Sequence, residues 1–421
     1  MDPSLDPSLI LVTIDWTTNV VTLHRDDGAV GTAQLPQDGG GLTRIKSTTW
    51  SPPLHAVAFE TTDGDHLALE LPHFDGVDHL GGRLVVYLDQ NIWSRVSRAV
   101  NDPDSATSNA EARAALELAG LVEHRKVILP LSSGHFSETT AWSDNARRYQ
   151  LGLTILRLSR GWQMRDPLVM RRLELRRALL QGICAEPAQR PLEPFTLQSN
   201  AATGRVDSVA VPSDFPLEAA HVMKSLTYLS AMVSTILDVD PIPATTKKIG
   251  WVESNQTFSD WLDGETKRPG QQKRRSVDVL LLNDLSTEIA EEAHRSGMRP
   301  EQMSSWVHGS MFRDMAGMPI VGIYRSILQE RHLNVGTRWT VNDLTDMVYL
   351  SAAAGYADFV VAERHETAML KQARRRLGRG ASVHSSLAAA LSEIQSTLGL
   401  SGDQPNLDGP CTVAPDDGRG R

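Results

Sequence analysis

A chain of 421 residues, 41% hydrophobic and 22% charged, is long enough for two or three domains and at least one large core, with the composition of a globular protein. Its formal net charge of −9 argues against a surface that embraces nucleic acid everywhere, and leaves room only for local basic patches. Cys184 and Cys411 match no metal or redox spacing, no apolar run approaches the roughly twenty residues of a membrane span, and Met1 to Asp15 carries no basic residue, so we expect a cytoplasmic protein without disulfides, membrane contact or secretory signal.

Four short β-rich runs come first, Leu9 to Ile14, Val20 to His24, Ala56 to Glu60 and His66 to Leu71. The turn signals between them, such as Asp27-Gly28 and Asp63-Gly64, predict a small antiparallel module over residues 1–80. It holds no cluster of catalytic-type residues. We read it as an accessory domain for substrate docking, stability or the binding of a protein partner.

After Gly81-Gly82 the run Arg83-Leu84-Val85-Val86-Tyr87-Leu88-Asp89 reads as a strand buried on both faces that stops on a carboxylate. A helix over Trp93 to Val100 and an Ala-rich helix over Ala110 to His124 follow, then a second strand at Val127 to Leu131. From Ser132-Ser133 one helix is expected through Glu138 toward Arg157. Strand and helix alternate as in a parallel α/β sheet. Residues 186 to 216 read as a long loop, Leu217 to Leu237 as an amphipathic helix, and Asp238 to Arg275 as irregular chain with a basic end. Val277 to Ser296 and Ile320 to Glu330 read as further helices. Thr340 with Asp343 has capping-box spacing, and Trp339 with Leu344 that of a hydrophobic staple, so a helix starts there and ends near Gly355. Phe359 to Ala362 is a further buried strand leading to Glu363, and Ala381 to Gly399 a last short strand or turn and an Ala/Leu-rich helix. The tail 401–421 is expected to be disordered. The fold class expected is α/β, with the main domain over 81–400 and a large, mainly helical insertion at about 185–300.

Asp89 and Glu363 both end predicted parallel strands, where open α/β sheets build their sites. Asp89 has a plainer reading as a helix cap. Glu138 falls on the same rim, and its reading as a capping-box partner is weak because His135 stands three residues before it. Asp343 is explained as a cap. Asp346, one turn inside a helix, is not, and is the better functional candidate. Asp358 begins the strand that Glu363 ends, roughly 16 Å away in extended chain, so only one of them belongs to the cluster, and topology prefers Glu363. Carboxylates without a His or Cys set suit hard ions such as Mg²⁺ or Mn²⁺. The pair His135 and Glu138 has a possible ligand spacing as well, a weak signal.

At these residues the chain resembles the PIN-domain-like nuclease superfamily. The matching pieces are Val85 to Trp93 with its Asp89, Ile128 to Ser132 leading to Glu138, Asn342 to Asp346, and Tyr356 to Glu363. The resemblance covers residues 83 to 180 and 300 to 399. It implies a three-layer α/β/α fold around a central parallel sheet and a metal-dependent endonuclease, most often acting on RNA. Carried over residue by residue, Asp89, Glu138, Asp346 and Glu363 would be catalytic and would hold Mg²⁺ or Mn²⁺ together with Asp343. Asn91 would fix the Asp89 turn or a substrate phosphate. Lys273, Arg274 and Arg275, with Lys371 and Arg374, would track the nucleic-acid backbone. Where family members carry a hydroxyl residue before the last acid this chain has Ala362, and Glu363-Arg364 stands in place of the commoner Asp-containing ending. The alternative is an inactive scaffold of the same fold that binds nucleic acid or a protein. A phosphatase of the haloacid-dehalogenase type needs a second Asp two residues after the first, and Asn91 stands there.

Overall fold

The computed structural model describes residues 8–34, 44–72, 80–106, 109–139, 144–183, 191–198, 200–204, 217–238 and 248–400. Cys184, Cys411, the tail from Ser401 and most of the loop expected over 186–216 lie outside them. Among the described residues no helix is long and apolar enough to cross a membrane.

Six strands, two more than expected, form the first sheet: β1 (Leu9–Asp15), β2 (Val20–Arg25), β3 (Val30–Gln34), β4 (Ile45–Ser51), β5 (Ala56–Thr61) and β6 (His66–Glu70). All pairs are antiparallel, in the order β3-β2-β1-β4-β5-β6. The two unexpected strands lack an apolar stripe. β3 is exposed along its whole length and β4 is mostly hydroxyl residues, so both owe their form to pairing with a neighbour. Alternation is clear in the far half of the sheet, where Val57, Phe59, Leu67 and Leu69 turn inward.

The second sheet is parallel. The chain runs on through β7 (Leu84–Leu88), α1 (Gln90–Asn101), α2 (Pro103–Ala106), α3 (Ala110–Glu123), β8 (Val127–Ile128), α4 (Ser133–Thr139), α5 (Asn145–Ser159), β9 (Gln163–Met164), α6 (Pro167–Gly182) and β10 (Phe195–Thr196), of which β9 and β10 form a separate antiparallel pair. The helix expected to run unbroken from Ser133 toward Arg157 is two helices. Asp144 starts the second by accepting the Arg147 N–H at 3.1 Å. A helical stretch follows: α7 (Leu217–Leu237), α8 (Lys248–Gly264), α9 (Gly270–Arg295), α10 (Pro300–Gly309), α11 (Met311–Gly317), α12 (Pro319–Leu333) and α13 (Val341–Tyr356). The segment 238 to 275, expected to be irregular, is therefore helical over most of its described length. Its aromatic residues stabilise it by packing, with Trp251 against Trp339 and Phe258 against His332. The chain closes with β11 (Phe359–Val361), α14 (Arg364–Leu377), β12 (Ser382–His384) and α15 (Leu387–Thr397).

Strand order is β12-β11-β7-β8, and a parallel bridge between Leu131 and Gln163 continues it toward β9. Alternate residues of each strand enter different cores. Val85, Tyr87, Ile128 and Val360 face one side with α6, α9, α12 and α13. Val86, Leu88, Val127 and Val361 face the other with α1, α3, α5 and α15. Helices thus cover both faces, which is why these strands read as continuous apolar runs. The inward face of the antiparallel sheet belongs to the second core too. Buried Glu174 of α6 accepts the Ile320 N–H at 2.9 Å and the Tyr356 hydroxyl at 2.7 Å, tying α6, α12 and α13 together.

Candidate functional site

β7 lies between β8 and β11, so the strand order reverses at β7, the point at whose carboxyl end open α/β sheets place their sites. Asp89 stands at this point. Its N–H donates to the Val361 carbonyl at 2.9 Å, and its Oδ1 accepts the Gln90 N–H at 2.9 Å as the cap of α1. The capping role is real, and it coexists with the acidic surroundings described below.

Glu138 is the penultimate residue of α4, a short helix held in several ways. Gln90 donates to the Thr139 hydroxyl at 2.9 Å. Ser133 Oγ lies 2.6 Å from the Tyr349 hydroxyl of α13. Gly134 lies against the same tyrosine ring so closely that a Cβ would stand 3.1 Å from it. His135 is buried; its Nδ1 accepts the Ser132 N–H at 3.1 Å, so its Nε2 carries the proton and donates to the Leu88 carbonyl at 2.9 Å. Both nitrogens are used, so His135 is a brace rather than a ligand.

On α13 the capping box forms as expected, with the Thr340 N–H donating to Asp343 at 2.6 Å. Asp343 also pairs with Arg331 at 2.8 Å. Asp346 lies one turn on. It lines a narrow cleft with Asp343, Arg331, Met369 and Glu366.

Asp358 and Glu363 separate as topology requires. Asp358 accepts the Val85 N–H at 2.8 Å, at the entry end of β7 and away from the end that carries Asp89. Glu363 precedes α14 on the same rim as Asp89 and accepts from the Asn91 side chain. Asn91 therefore bridges the loops after β7 and β11.

Burial is the main reason that the Asp89 carboxyl rises to about 6; Glu366 and Glu363 add to it, against the hydrogen bond from Gln90. Burial again comes first in raising Asp346 to about 7, followed by the negative charges of Asp89, Glu138, Glu366 and Asp343. Acids from the end of β7, from α4, α13 and α14 thus act on one another. Among the described residues, no three His, Cys, Asp or Glu side chains stand close enough to hold an ion between them. The donor set is all oxygen and carries excess negative charge, which fits a hard divalent cation in chemistry; the side chains are not drawn together around a preformed cage.

Glu366 and Arg331 were not singled out from the sequence. Glu366 follows Glu363 by one helical turn and shares its face, a spacing that could have marked it. One of its oxygens is buried without a hydrogen bond among the described residues. Arg331 had no local signal, since its partner Asp343 is twelve residues away.

Of the predicted substrate contacts, Lys273, Arg274 and Arg275 lie at the start of α9, and Lys371 and Arg374 are exposed on α14. Lys273 donates to the Leu262 carbonyl at 2.8 Å. Arg274 pairs with Glu330 at 2.9 Å, and Arg376 of the second basic run pairs with the same oxygen, so the two runs meet there. Elsewhere, Ser259, His332 and Asn255 have the composition of a hydrolase triad, with Ser259 Oγ 2.8 Å from His332 Nδ1. All three are at most 2% exposed, and Ser259 already accepts from the Trp339 indole, so no substrate reaches them. Compared with family models, curated proteins and solved structures, the chain matches none.

Proposed function

We propose that the chain is a PIN-like nuclease that hydrolyses phosphodiester bonds, with RNA as the first substrate to test. The observation that carries this reading is the electrostatic coupling of Asp89, Glu138, Asp346, Glu363 and Glu366 at the point where the strand order reverses. Acids that repel one another, four of them half-buried, are a cost to the fold, and a cation is the ordinary compensation. Mg²⁺ or Mn²⁺, held by these carboxylates, would supply activated water and charge stabilisation for phosphodiester hydrolysis. The chain's own part is to keep the carboxylates on the rim: Asn91 positions Glu363, Gln90 and His135 position α4 with Glu138, and Arg331 holds Asp343.

Cleavage of labelled single-stranded RNA with Mn²⁺, Mg²⁺ or EDTA tests it. Cation-dependent cleavage by the wild type, lost in the Asp89→Asn, Asp346→Asn double variant while its circular dichroism is unchanged, is the expected result. Undiminished cleavage by the double variant would sink the assignment. The absence of a preformed triple-acid cage among the described residues favours a second reading, a scaffold that binds without cutting. Calorimetric titration with Mn²⁺ separates the two, because the scaffold takes up no cation at Asp89 and Asp346.

A further inference from the structure

Beside the acidic cleft lies a wider one of about 560 Å³, the size of a small-ligand site. Asn334, Thr337, Arg338, His365 and Gln372 line it, and Arg331 and Met369 belong to both clefts. Arg331 is the wall between them. It is 7% exposed, its guanidinium stacks 4.7 Å over the Trp339 ring, and it reaches Asp343 on the acidic side and His365, at 3.5 Å, on the other. Its Nε has no partner among the described residues. The Trp339 ring is itself fixed, because its indole donates to Ser259.

The one acid of the wider cleft, Glu330, is offset by Arg274 and Arg376 and also accepts from Gln372 at 2.6 Å. What the cleft presents is therefore donors. Arg338, 79% exposed on its side chain and in only a long, exposed ion pair with Asp260 at 4.0 Å, and His365 are placed to bind from solvent, and Arg331 binds from below. Such a set recognises phosphate oxygens. Its volume admits one strand and no duplex.

We propose that this cleft seats backbone phosphates of a single-stranded nucleic acid next to the acidic site, so that the strand runs from the Arg331 side onto the carboxylates. The direction of the strand follows from the nuclease reading; the binding does not depend on it. Recognition through phosphate treats RNA and DNA alike.

The test is fluorescence anisotropy of the full chain in EDTA with labelled 12-nucleotide single strands of RNA and of DNA, and with the corresponding duplex. The Arg338→Glu, His365→Ala double variant should bind both single strands at least tenfold more weakly, with a shallower salt dependence. Arg313→Glu, at an 81% exposed arginine on α11, should bind as the wild type does. Equal binding by the double variant and the wild type, or no binding by the wild type, overturns the proposal. So does duplex bound as tightly as single strands, or RNA bound more than tenfold tighter than DNA, which would assign recognition to the 2′-hydroxyl. Metal-dependent cleavage that survives the Asp89→Asn, Asp346→Asn change would remove the assignment of the acidic site and leave the cleft standing on its binding data.

Discussion

His135 donates from Nε2 to the carbonyl of Leu88 across 2.9 Å, one residue before Asp89. The bond pins the helix of Glu138 to the strand of Asp89, and the second bond, in which Nδ1 accepts the Ser132 N–H, requires a neutral ring. Burial lowers this histidine to about 4. Folding therefore favours the neutral form, and its contribution is fully present above the ordinary value near 6.5 and is lost as pH falls through about 4. His135→Ala removes two buried hydrogen bonds and leaves a void, at a cost of about 2–4 kcal/mol. Urea denaturation should show that cost at pH 7.5, shrinking as pH falls from 6.5 to 4.

Asp346 carries the opposite sign. Its carboxyl is raised to about 7, so its contribution to stability is fully present below pH 4 and is lost as pH rises to about 7. Asp346→Asn should therefore stabilise the metal-free protein, by an amount that grows from pH 4 to pH 7 and then stays level. Because the group is partly solvated, the plateau should be of order 1–3 kcal/mol rather than the full value of the shift. Melting curves in EDTA give this comparison. Mn²⁺ should raise the wild-type melting temperature and close the gap; a variant no more stable than the wild type at pH 8 would contradict the buried charge.

Gly134 is needed for the approach of α4 to α13. Its replacement by Ala puts a methyl 3.1–3.3 Å from three atoms of the Tyr349 ring, and α4 must tilt. We expect a loss of about 1–2 kcal/mol in stability and a tenfold or greater loss in Mn²⁺ affinity. Gly120→Ala in α3, where nothing lies within 4 Å, is the control. It should gain up to about 1 kcal/mol, as helical Gly-to-Ala changes do.

Asp358→Asn and Glu363→Gln should divide cleanly. The first weakens the bond to the Val85 N–H and should cost about 1 kcal/mol with Mn²⁺ affinity unchanged. The second changes an exposed side chain, so stability should hold while cation affinity and cleavage fall. The reverse pattern in calorimetry and melting would show that the acid at the other end of the strand is the functional one.

What could be read from the chain was what neighbours along it decide. The Thr340 and Asp343 box, the apolar run into Asp89 and the strand into Glu363 depend on residues within a turn or a pleat. The break between α4 and α5 was not legible, since both halves are periodic and only the Asp144 cap marks the restart. β3 and β4 escaped because their form comes from partners across the sheet. Glu366 and Arg331 owe their setting to α13 packing beside α14 and α12, a contact without local trace. The His135 brace was open to misreading for the same reason, because its acceptor, Leu88, is 47 residues away.

Glu70, at the end of β6, accepts from Arg83, Arg160 and the Trp162 indole. Arg83 leads directly into β7, and its guanidinium stacks on Trp162. Together with the core shared by β5, β6 and α5, this makes the antiparallel sheet a wall of the same room in which Asp89 is set. A chain cut near residue 80 would open that room to water, leaving a buried arginine without its acid and an apolar face without its cover. Full-length protein should accordingly melt in one step, β6 and β7 together.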